Sequence, residues 1–440
     1  MSTNTFLTAT WVCRKGLIIL HQKSNAAGRA NRNYQDQFGP IDGVPVGTSI
    51  NVRLPFKYIG RNSNQMSAEN SVQRYQALSL ANQYGVDVNF SSVERAQDLG
   101  SFEEQVLEPA IAQVAAKIET SVLANTNSFN SLVGTYSTSI SMSQLMAARR
   151  FLTEFLAPED MLRTLTANPQ AHEEFVTNNA ALYNPELSIS EQFLEGLIAE
   201  RVAGCTAFEN TKVQSYLMGT YGATASGTVS GTAGQGWSSG AGNAYITQTA
   251  LITSSWSSGG TTIQAGDVLM ISGVYAVDPE SKASLGRLAQ FVATASVADS
   301  TGNLTVTVQP GIIYGGAYQN VCNSAGTGAA PGTGSSGYIY IAGQTTSTPS
   351  NANSGSLNVT VKQSLMWHRD AILFACVPMF DLSSTVKWTA REEYDGFSMR
   401  VAQIYDVDND FLPCRIDTLS GSVVGLRELG CRVIHQATSY

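Results

Sequence analysis

No charged residue occurs between Lys212 and Asp267, and Gly/Ser/Thr-rich tracts bracket the surrounding segment at 222–242 and 323–337. Such a stretch lacks the charged outer face of a surface helix, and its short apolar runs separated by turn residues read as strands. Phe291, Ala293, Ala295 and Val297 alternate, Asp299 to Asn303 supplies a turn, and Leu304, Val306 and Val308 alternate again, which is a β-hairpin signal. Further strands are expected at Tyr245 to Ile252, Val268 to Ile271 and Tyr338 to Ile341. Residues 220–355 are therefore expected to form a separate insertion, a small antiparallel barrel or sandwich.

The flanking segments carry helical patterns instead. From 101 to 124, Phe102, Val106, Leu107, Ile111, Val114, Ile118 and Val122 recur at helical spacing, with Glu103, Glu104 and Glu108 near the positive N-terminal end. Pro109 either opens the regular part of this helix or kinks it after a short leading turn. A second helix is expected over Ser141 to Leu156, with Ser141 and Gln144 at capping-box spacing and Pro158 ending it. Asn168 and Pro169 cap and open a short helix through Val176, and Ser188 with Glu191 repeats the capping box before Phe193. Between Gln37 and Arg74, Gly, Pro and Asn surround the alternation Ile50, Val52, Leu54, Phe56, Tyr58, which reads as an extended hairpin-like loop with its tip near Gly60 to Gln65. After Ser356 a denser apolar pattern resumes around Trp367, His368, Arg369 and Asp370.

At 440 residues the chain has material for two or three cores. Charged residues make up only 14%, so the polar surface is largely uncharged, and such a surface is cheap to desolvate against identical neighbours. The net charge of −8 opposes a protein that coats nucleic acid over its whole surface. Residues 1–40 depart from that balance: Arg14, Lys15, Lys23, Arg29 and Arg32 face only Asp36. This basic arm is either a contact for an acidic partner or a solvated terminal segment.

The six cysteines, Cys13, Cys205, Cys322, Cys376, Cys414 and Cys431, show no zinc spacing and fit reduced thiols in a cytosolic product. The apolar run Gly16 to Leu20 is shorter than the roughly 7 to 15 residues of a signal-peptide core, and Ala371 to Phe380 falls short of the about 18 needed for a membrane span.

Three patterns compete for chemistry. Gly236, Trp237, Ser238, Ser239 and Gly240 satisfy GxSxG, but neither the buried strand nor the helix of a nucleophile elbow flanks them. Asp406, Asp408 and Asp410 open like a calcium loop, yet Phe411 stands where glycine is required and Asp417 where the closing glutamate belongs. The histidines His21, His172, His368 and His435 are scattered without metal spacing. No catalytic residue, metal ligand or cofactor is expected. The mixed charges Arg391, Glu392, Glu393 and Asp395 read as a solvated face or a subunit contact.

The segments ATWVCRKGLIILHQK at 9–23, NRNYQDQFGPIDGVPVGTSINVRLPFKY at 31–58, LEPAIAQVAAKIE at 107–119, WHRDAILFACVPM at 367–379 and CRIDTLSGSVVGLRELGCRVI at 414–434, in that order, resemble the podovirus coat-protein family typified by phage P-twenty-two. Within the insertion only AGDVLMISGV at 265–274 contributes to the likeness. The resemblance implies an α+β chain with the tailed-phage (HK-ninety-seven-like) major capsid protein fold and an inserted antiparallel β-barrel. It divides the chain into an N-terminal arm (1–40), an extended loop (41–75), a spine helix with peripheral domain and first axial part (76–219), the insertion (220–355) and the remaining axial and peripheral core (356–440).

The function it implies is a structural one. Copies would close as hexamers and pentamers into an icosahedral head around double-stranded DNA, with a scaffolding protein during assembly and a portal at one vertex. Packaged DNA would be touched non-specifically on the inner face, and the shell would be built in the host bacterial cytoplasm, away from any membrane. Arg14, Lys15, Lys23, Arg29 and Arg32 are the candidate partner-contact residues, and deletion of residues 1–40 is expected to impair assembly more than folding. Two other readings are a tail, decoration or adhesive protein that grips a receptor through its β domain, and a hydrolase using Ser238. The helical first half and the absence of repeats oppose the former.

Overall fold

The computed structural model describes residues 9–38, 47–91, 108–178, 201–220, 227–230, 235–256, 262–299, 301–323, 338–342, 359–380, 382, 388–406 and 411–435. The helix expected at 188–201, apart from Arg201, which stands in a strand, and the start of the one expected at 101–124 lie outside these residues. Five described α-helices are α1 (Ala9–Lys23), α2 (Asn25–Arg29), α3 (Glu108–Ala124), α4 (Met142–Glu154) and α5 (Pro169–Asn178). The chain divides into two compact units, one from 1–52, 76–125 and 372–425, the other from 53–75, 126–371 and 426–440.

The first unit is built on an antiparallel sheet ordered Ile372–Val377, Phe411–Val424, Phe397–Gln403, Trp388–Tyr394, with Asn82–Ser91 also pairing along Phe411–Val424. Within that sheet Asp417 is fully buried. Arg400 holds its carboxylate through two nitrogens, at 3.1 and 2.7 Å, and Arg415 Nε (3.0 Å) and Gln83 Nε2 (2.7 Å) donate to it as well. Asp417 is thus a structural ion-pair member in mid-strand, which removes the closing position of the calcium-loop pattern.

Helix α3 buries Ile111, Val114, Ile118 and Val122 as its spacing predicts, and Pro109 stands as its second residue, where a missing N–H is harmless. Its buried face also carries a charge, Glu119. That carboxylate accepts hydrogen bonds from the backbone N–H groups of Ala26 (3.0 Å) and Ala27 (2.9 Å) in the first turn of α2. Those donors have no partner within a helix that short, so Glu119 serves as their acceptor from another element.

The second unit contains a mixed sheet ordered Ser131–Val133, Gly430–His435, Thr360–His368, Arg163–Ala167, Cys205–Glu209, Arg201–Val202. Helix α4 begins at the expected cap: Gln144 Oε1 accepts the Ser141 backbone N–H at 3.3 Å. Helix α5 begins at Pro169, with Asn168 Oδ1 accepting the Gln170 N–H at 3.1 Å.

The insertion in the same unit is a nearly closed barrel. Its strands run in the order Val321–Cys322, Val268–Val277, Ser284–Ala293, Leu304–Gln309, Thr249–Ser254, Thr228–Val229, and Ile339–Ile341 also pairs with Val268–Val277. A bridge between Thr228 and Tyr338, with the Ile339 N–H donating to Gly227 O at 2.8 Å, brings the two ends together. Closure removes the free edges that a strand set with so few charges would otherwise expose. The hairpin expected around residues 299–303 is present in part: Val292 and Ala293 pair with Gln309 and Val308, but Val297–Ala298 pairs instead with Thr262–Ile263, and Asp299 Oδ1 accepts the N–H groups of Thr301 (2.9 Å) and Gly302 (2.6 Å) in the connection.

The barrel core does not stop at the insertion. Leu251, Ile271, Phe291 and Val306 form one buried cluster with Leu132, Tyr216, Val361 and Ile434 of the mixed sheet. At this seam lies Asp267, the charge that ends the uncharged stretch. The Tyr216 hydroxyl donates to its Oδ1 and the Gln264 N–H to its Oδ2 at 2.8 Å, while the fully buried Arg432 donates to the neighbouring Gly266 O at 2.6 Å. Arg432 also lies over the Tyr216 ring, 5.4 Å from its centroid. Burial pushes the Tyr216 phenol well above its ordinary range, and the Asp267 charge adds to that, so Tyr216 stays a donor.

Removing the buried carboxylate leaves the Tyr216 hydroxyl and the Gln264 N–H without their acceptor, so Asp267→Ala is expected to destabilise the second unit by about 1–3 kcal/mol for each orphaned donor. Tyr216→Phe removes the other end of the same hydrogen bond, so the double variant Tyr216→Phe/Asp267→Ala should lose less than the sum of the two single losses, measured as urea unfolding midpoints in a double-mutant cycle. The six cysteines are all buried and none is in a disulfide, and burial pushes Cys13 and Cys431 up to about 12. A thiol reagent at pH 8 should therefore leave the native chain unmodified and react with six thiols after denaturation; fast reaction of any of them in the native state would contradict this packing.

Candidate functional site

The basic arm and the late acidic cluster, far apart in sequence, meet in the first unit. Helix α1 buries Val12, Cys13, Leu17 and Leu20 on one face. That face approaches the sheet so closely that a Cβ on Gly16 would stand 2.4 Å from Met399 Cε and 2.7 Å from Ile111 Cδ1, so no side chain fits at position 16. Cys13 Sγ completes the contact by donating to Met399 O at 3.2 Å.

Strands Trp388–Tyr394 and Phe397–Gln403 are joined through Asp395 and Gly396, whose φ values of 45° and 73° give the Asp-Gly hairpin turn that suits two-residue connections. This turn aims carboxylates at the arm. Asp395 Oδ2 lies 2.8 Å from His21 Nε2 and 3.6 Å from Arg32 Nη2, and Arg32 Nη1 also donates to the Asp395 carbonyl. Glu392 Oε1 lies 3.3 Å from Arg14 Nη2, and Glu393 Oε1 accepts from Gln35 Nε2 at 3.2 Å. Aromatic contacts support the same junction: Arg32 lies 5.5 Å from the Phe397 centroid, and His21 meets Tyr394 edge-on at 5.6 Å.

Of the five candidate arm residues, Arg14 and Arg32 are thus drawn to the acidic hairpin, and Lys23 stands 3.7 Å from Glu108 at the start of α3. Lys15 Nζ lies 5.4 Å from the Trp11 ring on its own helix, and Arg29 ends α2. The segment is a docked amphipathic helix over Ala9–Lys23, so deleting residues 1–40 would strip apolar cover from the core as well as remove charge. The mixed-charge cluster at 391–395 contacts the arm of its own chain. A signal for docking was available in the spacing of Val12, Leu17 and Leu20. For Glu119 the signal was a carboxylate interrupting an apolar stripe.

The extended loop follows the hairpin expectation where it is described: Ser49–Leu54 pairs with Arg74–Ser79, and Ile50 and Val52 face inward. Phe56, Tyr58, Ile59 and Met66 lie along the exposed part of the loop.

The patterns tested for chemistry have structural roles. The Ser238 N–H donates to Ile312 O, its carbonyl accepts from Tyr314 N, and its Oγ accepts the Gly240 N–H at 3.1 Å, closing a turn. Each histidine lies against a carboxylate: His21 with Asp395, His172 with Glu209, His368 with Asp160, and His435 with Glu174. Among the described residues no cluster of three or more His, Cys, Asp or Glu side chains is placed to hold a metal ion, and no helix is long and apolar enough to cross a membrane. Asp408 and Asp410 lie outside the described residues.

No curated protein matches the chain by sequence. Solved structures similar to it include one from Mycobacterium phage Che8, at 9% identity and a TM-score of 0.46, covering 99% of this chain and 94% of that one. Another is the capsid of Ralstonia phage GP4, at 7% identity and a TM-score of 0.46, covering 100% and 94%. A third is the mature capsid of bacteriophage PhiM1, at 8% identity and a TM-score of 0.43, covering 100% and 91%. The decisive match is to a sequence family, described as "P22 coat protein - gene protein 5", over residues 44–431, which takes in both flanks and the whole insertion. The chain belongs to the P22 coat protein family: it is a major capsid protein of a tailed bacteriophage, an α+β chain with an inserted, nearly closed β-barrel, and it forms the head shell.

Proposed function

We propose that the shell is icosahedral, that it closes through hexamers and pentamers of this chain, and that it encloses double-stranded DNA. Assembly proceeds in the host bacterial cytoplasm with a scaffolding protein, and a portal occupies one vertex. The observation that carries this reading is the family match across residues 44–431. The low charge of the surface and the exposed apolar side chains of the extended loop support repeated contact with identical copies. Six buried cysteines outside any disulfide support synthesis in a reducing compartment.

In this reading the chain works as an arm (1–40), extended loop (41–75), spine and peripheral region (76–219), insertion (220–355) and closing core (356–440). Arg14, Lys15, Lys23, Arg29 and Arg32 form the basic face offered to an acidic partner, the scaffolding protein during assembly or DNA in the filled head. The Arg14 and Lys23 side chains are 68% and 43% exposed. Their ion pairs are therefore of the surface kind, which contribute about 0–1 kcal/mol and can be exchanged for partner contacts. The role is structural rather than enzymatic, since recognition here needs surface and charge and no reacting group.

Charge reversal tests the arm without removing its apolar face. Arg14→Glu, Lys15→Glu and Lys23→Glu combined should leave the urea midpoint of the isolated chain within the range of surface substitutions, about 0.5 kcal/mol per site. Closed shells formed with scaffolding protein, counted by negative-stain microscopy, should fall at least tenfold, the effect of about 1.4 kcal/mol at an assembly contact. Normal yields of normal shells would overturn the arm's partner role. If the unsubstituted chain with its scaffolding protein formed only monomers, the shell reading itself would fall.

A further inference from the structure

Residues 53–75 of the extended loop belong to the same compact unit as the barrel. Arg74, the first residue of the returning strand, is 6% exposed, and its guanidinium lies 5.3 Å from the Tyr245 ring centroid and 5.1 Å from that of Tyr318. The two rings stand 5.2 Å apart at 57°, so they form a jaw around the guanidinium. Both tyrosines come from barrel connections: Tyr245 precedes the strand Thr249–Ser254, and Tyr318 lies between Leu304–Gln309 and Val321–Cys322. From the jaw, Arg74 Nη2 donates across the loop to Pro55 O at 2.9 Å, which ties the outgoing arm of the loop to the returning one.

Two hydrogen bonds run from barrel side chains to loop carbonyls. The Tyr318 hydroxyl donates to Val72 O at 2.8 Å, and Asn243 Nδ2 donates to Asn70 O at 3.0 Å. Asn243 is itself held, because its Oδ1 accepts the Ala317 N–H at 3.1 Å. The Val72 side chain packs on a small apolar cluster of Ile313, Ala317 and Tyr318. Lys57, on the outgoing side, stands 4.0 Å from Glu428. The loop is therefore gripped at its base by aromatic, hydrogen-bonding and apolar contacts, while Phe56, Tyr58, Ile59 and Met66 are left exposed beyond the grip.

We propose that the inserted barrel is the mount of the extended loop, with Arg74 as the positioning residue: gripped between Tyr245 and Tyr318, it fixes the direction in which the loop leaves the subunit. An extended hairpin with no cover of its own would sample many directions, and ordering it at the moment of contact would weaken that contact. A grip made before contact removes that entropy loss. The insertion thereby gains a role inside its own subunit, beyond adding mass to the shell.

The test uses the full-length, unassembled chain and limited trypsin digestion, so its outcome is independent of the shell reading. Arg61, exposed near the loop tip, is the reporter site, and cleavage there tracks the population of released loop. Loss of two stacked cation–aromatic contacts in Arg74→Ala should raise the rate of cleavage after Arg61 about tenfold, with the urea midpoint falling by no more than that change in loop docking accounts for. Arg74→Lys keeps the charge but loses the planar fork, and should give a smaller rise. Asn243→Asp keeps the acceptor for Ala317 N–H and loses the donor to Asn70 O; it should also speed cleavage, and it carries the test if Arg74→Ala does not fold. Cleavage within twofold of the unsubstituted rate in every folded variant would overturn the proposal. So would a rise at Arg61 matched by equal rises at tryptic sites outside the loop.

Discussion

The buried carboxylate of Asp267 is the constraint on which the second unit depends. A barrel assembled from Gly, Ser, Thr and small apolar residues has few polar anchors with which to fix itself to a neighbouring sheet, and apolar contact alone is non-directional. Asp267 supplies direction. It receives the Tyr216 hydroxyl and lies in the field of Arg432, whose guanidinium covers the Tyr216 ring and bonds to Gly266 O. Burial pulls Arg432 downward from its ordinary range, and Tyr216 and Asp267 oppose that pull. With the barrel fixed in this way, its connections bearing Tyr245 and Tyr318 are fixed too, and the grip on Arg74 has something rigid to act from.

Local signals were the legible ones. The Ser141/Gln144 box, the Asn168–Pro169 start and the Asp299 turn appear where residue type at fixed spacing dictates backbone geometry. Departures come from tertiary demands. The strand expected from Tyr245 begins at Thr249, because Tyr245 and Ile246 turn to pack against Tyr318 and Val72 under the loop. The strand expected to end at Ile271 continues to Val277, through register shifts after Met270 and a left-handed Gly273 at φ 74°. A glycine that reads as a stop in sequence acts as a bulge within a longer strand.

The candidate site was legible in its parts and not in its pairing. The sequence marks a basic arm and a mixed-charge cluster, yet no local rule joins Arg14 to Glu392 or His21 to Asp395 across most of the chain. Their meeting follows from a different feature, the close seat that Gly16 allows α1 beside Met399 and Ile111. Arg74 shows the same limit. As one arginine at the edge of an alternating segment it carries no signature, and its role exists only once two tyrosines from distant connections converge on it.

The distribution of charge also separates what can change during assembly from what cannot. Arg400 and Asp417 form a bidentate pair with side chains 11% and 1% exposed, and breaking such a pair costs about 3–5 kcal/mol, a large part of a domain's stability. Arg14 and Glu392, at 68% and 25%, are held by about 0–1 kcal/mol, comparable with thermal energy. A partner carboxylate can therefore displace Glu392 from Arg14 with little loss to the fold, whereas no contact of ordinary strength can displace Asp417 from Arg400. In a chain with so few charges, the buried pairs define the subunit, and the exposed pairs on α1 remain available for exchange.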